Sequence, residues 1–334
     1  MSTIKAVAAR AGVSTATVSR ALSNPEIVQP ETRARVQEAI EALHYAPNHA
    51  AKSLRMLRTS KIMVMVPDVS NPFFSEVLRG AEEAAQGAGH SVLLGDTRGD
   101  ETREAQYAEM LLRKEADGLI FLGHRMPPSL ARVAAARGGH APLVNACDFS
   151  AEHGVAGVHI DNSRAAAEAM GLLYSMGHRR VGVIAGPLES HLTRERLAGV
   201  ERAAIAAGAE RGLTIVHADY TIESGLQETT RLLAAPERPT AVFCFSDEIA
   251  VGALSACRAR GVACPTGLSI VGFDDVRYAR FLDPPLTTVR QPMAEIGRTA
   301  VKLLLDILAG EAAPREPVTL AHELVVRAST GPAS

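Results

Sequence analysis

Residues 14–20 read Ser-Thr-Ala-Thr-Val-Ser-Arg, four hydroxyls and one guanidinium crowded onto about two helical turns. Small polar side chains keep a helix face slim, and an Arg fork can meet the acceptor edge of a base. Such a face suits the major groove of DNA. A second set of polar residues lies far along the chain, at the ends of apolar runs. Asn71-Pro72-Phe73-Phe74 follows one run, Phe245-Ser246-Asp247 another and Gly272-Phe273-Asp274-Asp275 a third. Gly186-Pro187-Leu188-Glu189 follows a fourth, with Arg194 and Arg196 in the helix beyond, and His159-Ile160-Asp161-Asn162 marks a crossing between lobes. Aromatic faces with carboxylates and an Arg suit a ring-bearing polyol better than a metal or a phosphate. The two Phe have a second explanation, since apolar loop residues often tuck into a core.

Other chemistries lack their residues. The chain contains no G-x-x-x-x-G-K-[ST], no G-x-G-x-x-G after a strand, no G-x-S-x-G elbow and no H-E-x-x-H. Eleven His are scattered without ligand spacing, and Cys147, Cys244, Cys257 and Cys264 form no C-x-x-C pair. Neither a metal nor a cofactor is therefore expected, and the thiols read as reduced and buried in a cytosolic protein. No apolar run approaches the roughly 20 residues of a membrane helix. The first residues also lack the apolar stretch of a secretory signal. Lys5, Arg10 and Arg20, with no acid before Glu26, would fit a mitochondrial transit peptide, but Gly12 interrupts the single amphipathic helix such a peptide needs.

These residues need elements to place them, and at 334 residues the chain is long enough for two or three domains. Its net charge of −2 is unevenly spread: residues 1–58 carry +4 and the remainder −6, a basic head on an acidic body. In the head, Thr3 caps a helix over Ile4–Arg10, Gly12 turns the chain, and Ser14 caps a second helix over Thr15–Leu22. A third runs from about Glu31 to Leu43 behind Pro30. Ile4, Val7, Ala8, Val13, Val18 and Leu22 can meet in one small core, with Val36, Ile40 and Leu43 on the third helix. Two short helices about a tight turn make a helix-turn-helix. A plain three-helix bundle would have no reason to expose hydroxyls and Arg in this way. Pro47–Arg58 is helix-compatible but too short to be stable alone, and by composition it could equally be a linker.

From residue 62 onward, strand-like runs alternate with helical ones. Strands are predicted at Ile62–Val66, Ser91–Leu94, Leu119–Leu122, Leu143–Asn145, Val158–Ile160, Val181–Ile184, Thr214–His217, Ala241–Phe245 and Ile270–Phe273. Helices fall between most of them, as at Glu76–Gly87, Thr102–Arg113, Arg164–Ser175 and Asp247–Arg260. Continuous apolar strands with helical crossovers form parallel sheets covered on both faces. About nine strands divide best into two lobes, and ligands then bind beyond the strand C-termini, between them. The expected fold is thus an all-α helix-turn-helix head on an α/β body of two doubly wound, parallel-sheet lobes, like a periplasmic binding protein. The boundaries are a head over 1–46, a hinge and linker over 47–61, and an effector-binding and dimerisation body over 62–334.

Thr3-Ile4-Lys5, the stretch from Ala11 to Arg20 and Tyr45-Ala46-Pro47-Asn48 resemble the head of the LacI/GalR family of bacterial repressors. The resemblance implies that Thr15, Ala16 and Arg20 face base edges, Arg20 alone having the fork that reads a guanine bidentately. It implies that Ser14, Thr17, Ser19 and Tyr45 hold phosphates, which position the head without reading sequence. It also turns Pro47–Arg58 into a hinge helix that orders on the operator. There Ala50 and Ala51 would let two copies approach, Leu54 would wedge into a minor-groove step, and Asn48, Lys52 and Arg55 complete the DNA-contacting set. Two positions depart from the family pattern: Ala6 replaces a usual Asp, and Gln29 replaces a usual Ser or Thr cap before Pro30.

The resemblance continues from Lys61 to about Arg327, through Val66-Pro67-Asp68, Pro72-Phe73-Phe74-Ser75-Glu76, Val158–Asn162, Pro239–Cys244 and Asp283–Thr288. It implies a transcriptional repressor in which Phe73 and Phe74 stack on a base, while Arg196 and Asp274 clamp polar edges or ribose hydroxyls. Tyr220 aligns with an aromatic that meets the ligand in purine-responsive members. Ser190 and Leu192 replace the Arg and Thr that recognise a purine there, and Asp161 and Asp247 complete the effector-binding set. Within the family the likeness is strongest to a cytidine-responsive branch, which implies a pyrimidine nucleoside as inducer. The partners implied are operator DNA with an inverted repeat, a second copy of the chain and other transcription factors, in the cytoplasm on the nucleoid. Alternatives within the family are a purine-corepressed or a pentose-responsive regulator. Outside it are a nucleoside- or sugar-processing enzyme with a DNA-binding head, and a solute-binding protein, which the basic head and absent signal oppose.

Overall fold

The structure is a computed structural model that describes residues 3–45, 58–148, 154–314 and 316–333. Contacts divide it into two compact units, Met1–Thr59 and Ser60–Ser334.

In the first unit, helix α1 (Ile4–Ala11) is capped by Thr3, whose hydroxyl accepts from the Ala6 N–H at 3.3 Å. It ends at Gly12, whose φ of 65° is the left-handed conformation that lets the chain turn at once. Helix α2 (Thr15–Ser23) starts at Ser14, which accepts from the Thr17 N–H at 3.1 Å. Helix α3 (Pro30–Ala42) opens on Pro30, and Gln29 makes no side-chain cap there. Val7, Ala8, Ala11, Val18, Val36 and Ala39 form the core, with Ile4, Val13, Ala21, Ile40, Leu43 and Tyr45 packed around it. Leu22 departs from expectation: it is 39% exposed, and Ala21 one position earlier points to the core instead. A one-residue step rotates a helix by about 100°, enough to exchange faces.

Among the described residues, the second unit holds two six-stranded sheets. The first has the order β11-β5-β4-β3-β1-β2 and is parallel throughout. Its strands are β1 (Lys61–Val66), β2 (Ser91–Asp96), β3 (Gly118–Phe121), β4 (Leu143–Ala146), β5 (Ala156–Ile160) and β11 (Val318–Leu320). The second has the order β12-β10-β9-β8-β6-β7, from β6 (Val181–Ala185), β7 (Leu213–His217), β8 (Ala241–Cys244), β9 (Ser269–Asp274), β10 (Thr287–Arg290) and β12 (Glu323–Val325). Only β12 runs antiparallel among its described pairings. Helices α4 (Pro72–Gly87), α5 (Glu101–Leu112), α6 (Pro128–Arg137) and α11 (Met293–Leu308) cover the first sheet. Helices α7 (Asn162–Ser175), α8 (His191–Ala206), α9 (Ile222–Ala234) and α10 (Asp247–Ala259) cover the second.

The nine expected strands are all present, and β10, β11 and β12 are additions. Among the described residues, the chain crosses between lobes three times: after β5, between β10 and α11, and between β11 and β12. Each lobe is therefore completed by a late segment. Helices α4 and α11 pack so closely that a Cβ at Gly80 would overlap the Ala294 carbonyl, and one at Gly297 the Val77 carbonyl.

Candidate functional site

Parallel strands end on one side of each sheet, and here both sets of C-terminal ends face a cavity of about 700 Å³ between the lobes. From the first lobe, α4 delivers Phe73 and Phe74 at its first turn, which Asn71 caps by accepting from the Phe73 N–H at 2.9 Å. The two rings meet edge to face, with centroids 5.2 Å apart. Phe73 is also part of the lobe core, so packing and cavity lining are shared in one side chain.

From the second lobe, α8 brings Ser190, Leu192 and Arg196 to the cavity. Arg196 is buried, its guanidinium carbon 3.5 Å from the Phe273 ring centroid. Its Nε donates to Asn162 Oδ1 at 2.9 Å and its Nη1 to the Phe245 carbonyl, leaving Nη2 with no hydrogen bond among the described residues. Stacked and doubly anchored, this fork is held in place before any ligand arrives. Asp274 sits at the end of β9 with φ 117° and receives a bond from Gln291 Nε2 at 2.8 Å. Burial pushes its carboxyl up to about 7, against the pull of Arg196 and of the Gln291 bond. Tyr220 lines the cavity with its hydroxyl 2.8 Å from Thr193 Oγ1, and burial pushes its phenol up to about 12.

Two expected residues lie elsewhere. Asp161 caps α7, accepting from the Arg164 N–H at 2.8 Å, and is exposed outside the cavity wall. Asp247 is wholly buried behind the wall, accepting from Thr288 Oγ1 at 2.6 Å and the Val276 N–H at 2.8 Å. These bonds tie Asp247 to β10 and to the loop that follows Asp274, behind the cavity wall rather than on it. Burial, with Asp274 nearby, drives its carboxyl well upward.

Asp148 was not among the expected residues, and it lines the cavity. It follows β4 on the first lobe, and its Oδ2 accepts from Ser190 Oγ at 2.7 Å and its Oδ1 from the Leu192 N–H at 2.9 Å. A carboxylate of one lobe thus caps the helix α8 of the other. Its sequence signal is the one that found Asp274: a carboxylate directly after an apolar strand. Gln291 carried no such signal, because its strand was not recognised.

In the head unit, Ser14, Thr15, Ala16 and Arg20 are exposed, while Val18 is buried behind them. Ser14 Oγ lies 2.9 Å from Thr17 Oγ1, and Ser19 is half-buried. Among the described residues, Arg20 makes only a long 3.4 Å contact from Nε to the Ala16 carbonyl, which leaves the rest of its fork available. Tyr45 packs against the head core. Asn48, Lys52, Leu54 and Arg55, with Ala50 and Ala51, lie outside the described residues.

A helix-turn-helix unit joined in one chain to a pair of parallel-sheet lobes around a cavity defines a ligand-responsive DNA-binding regulator. Residues 3–48 match the bacterial regulatory proteins of the lacI family, and residues 170–330 match a periplasmic binding protein-like domain. The chain belongs to the LacI family and is a transcriptional repressor of that type. It is 42% identical to the HTH-type transcriptional repressor CytR of Escherichia coli K12, over 98% of this chain and 96% of that one. It is 34% identical to catabolite control protein A of Priestia megaterium, over 98% and 99% respectively. The lac repressor dimer bound to operator and the anti-inducer ONPF superposes with a TM-score of 0.89, at 28% identity and 99% coverage of both chains. Members of the family bind operator DNA and small-molecule effectors.

Proposed function

We propose that this repressor is released from its operator by a pyrimidine nucleoside, cytidine first, held between the lobes. The observation that carries the reading is an aromatic pair, Phe73 and Phe74, sharing one cavity with the buried Asp274 and the anchored Arg196 fork. The rings supply faces for a base. The carboxylate accepts from ribose hydroxyls, and Arg196 Nη2 offers a donor to a polar edge. Release follows from linkage: the ligand favours a lobe closure unsuited to DNA, and it can change operator affinity only by that preference.

The chain is organised as a DNA-binding head (1–46), a hinge and linker (47–61) and an effector-binding, dimerising body (62–334). In the head, Thr15, Ala16 and Arg20 read bases while Ser14, Thr17, Ser19 and Tyr45 hold phosphates. In the hinge, Leu54 enters the minor groove beside Asn48, Lys52 and Arg55. The protein works in the cytoplasm as a homodimer on an inverted repeat, alongside other transcription factors, and catalyses no reaction of its own.

Calorimetry with cytidine, adenosine, hypoxanthine and ribose, followed by operator titration with each ligand, tests the reading. Cytidine is expected to bind tightest and to weaken operator binding. Tight binding of hypoxanthine or ribose with none of cytidine overturns it in favour of a purine- or pentose-responsive regulator. Ligand-strengthened operator binding reverses the sign.

A further inference from the structure

Asp148 is 96% buried by the lobes that meet over it, yet no cation pairs with it among the described residues. An ionised carboxylate has about four acceptor sites and no donor. Ser190 Oγ and the Leu192 N–H fill two of them, one on each oxygen, and both donors come from the N-terminal turn of α8. What remains can only accept, and Asp148 borders the same cavity as Phe73 and Phe74. Any ligand edge brought to it must therefore present N–H or O–H; a carbonyl there would leave the remaining acceptor sites unmet.

We propose that Asp148 is a specificity-determining residue that selects an effector base bearing an exocyclic amino group. The inference rests on the nucleoside reading and deepens it. Cytosine and uracil differ at position 4, an amino donor in one and a carbonyl acceptor in the other, while the ribose is identical. A carboxylate accepting from the cytosine amino group discriminates against the wrong partner by about ten- to a hundredfold. A site built around a ligand N–H rejects the analogue lacking it because the acceptor is then left buried and unmet. Nothing in this requires Asp148 to move, since α8 already holds both of its oxygens.

Calorimetry on the purified full-length protein with cytidine, uridine and N4,N4-dimethylcytidine tests the proposal, because the dimethyl analogue keeps the cytosine ring but loses both amino hydrogens. The unmodified protein is expected to bind cytidine about ten- to a hundredfold tighter than either of the others. In Asp148→Asn, whose amide can donate or accept, the gap between cytidine and uridine is expected to close to within about threefold. Equal affinity for cytidine and uridine in the unmodified protein overturns the proposal, and that measurement decides the matter even if the variant fails to fold. A variant that weakens all three ligands by one common factor also overturns it, leaving Asp148 as a tie between the lobes. Failure of the nucleoside reading itself is distinguished by an unmodified protein that binds neither nucleoside but takes hypoxanthine or ribose.

Discussion

At the scale of single residues, Asp274 and Arg20 carry the sharpest expectations. Burial raises the Asp274 carboxyl to about 7, so in the free protein it exchanges its proton near neutral pH. Ribose hydroxyls are best received by the ionised form, so ligand binding drives the proton off. Cytidine affinity is expected to rise from about pH 6 to about pH 8 and to level off above, and Asp274→Asn should remove both the affinity and its pH dependence. Calorimetry across that range checks this; a flat profile contradicts it. Stability has the opposite sign. A carboxyl whose folded value is raised binds its proton more tightly folded than unfolded, so stability is lost as pH rises from about 4 through about 7. Ligand-free Asp274→Asn should therefore melt at least about 2 °C higher than the parent at pH 8, by differential scanning calorimetry. In the head, Arg20 is exposed, with one long internal contact among the described residues. Arg20→Ala is expected to cost about 1–3 kcal/mol on a selected operator and to relax preference at one base pair per half-site. Equal loss on random DNA would assign Arg20 to phosphate alone.

At the scale of elements, the close approach of α4 and α11 sets a strong contrast within one helix. Gly80→Ala drives a methyl into the Ala294 carbonyl and is expected to destabilise the first lobe by about 1–3 kcal/mol. Gly87→Ala, near nothing at the end of the same helix, should be neutral or slightly stabilising. Urea unfolding of both variants reads the difference. The long elements were legible in sequence because their signals are local. Nine strands stood out as apolar runs, and Thr3, Gly12 and Ser14 announced the ends of α1 and α2 by their side-chain chemistry. Strands β11 and β12 are three residues each, too short to show a period, and β10 begins with two Thr. Their pairing partners are distant in sequence, so only the assembled sheet identifies them. The cavity residues divide in the same way. Phe73, Phe74 and Asp274 were legible from their place just beyond strand ends and Arg196 from the helix that follows one, and that rule has no means of telling lining from capping. It chose Asp161, which its own helix uses as a cap, and passed over Asp148, whose partners Ser190 and Leu192 lie on another lobe.

For the whole molecule, one head presents a single short helix, which is too little to select a site in a genome; the proposed two-fold pair reading an inverted repeat would supply the rest. Footprinting is expected to give two protected half-sites related by a dyad, and Leu54→Ala should reduce both operator affinity and bending in a circular-permutation assay. Effector coupling of about 1–3 kcal/mol, about five- to 150-fold in operator affinity, is the expected span. The three crossings between lobes carry a consequence for how the chain is made. A ribosome releases the head as one continuous stretch, and it can fold as soon as it emerges. The first lobe cannot. Strand β11 and helix α11 are synthesised only after β6–β10, so a nascent chain carries the first lobe unfinished, with the faces of β3, β4 and β5 that α11 will cover still bare. A message cut short before Met293 thus yields a head free to fold, attached to a body whose first lobe has neither α11 nor β11 to complete it.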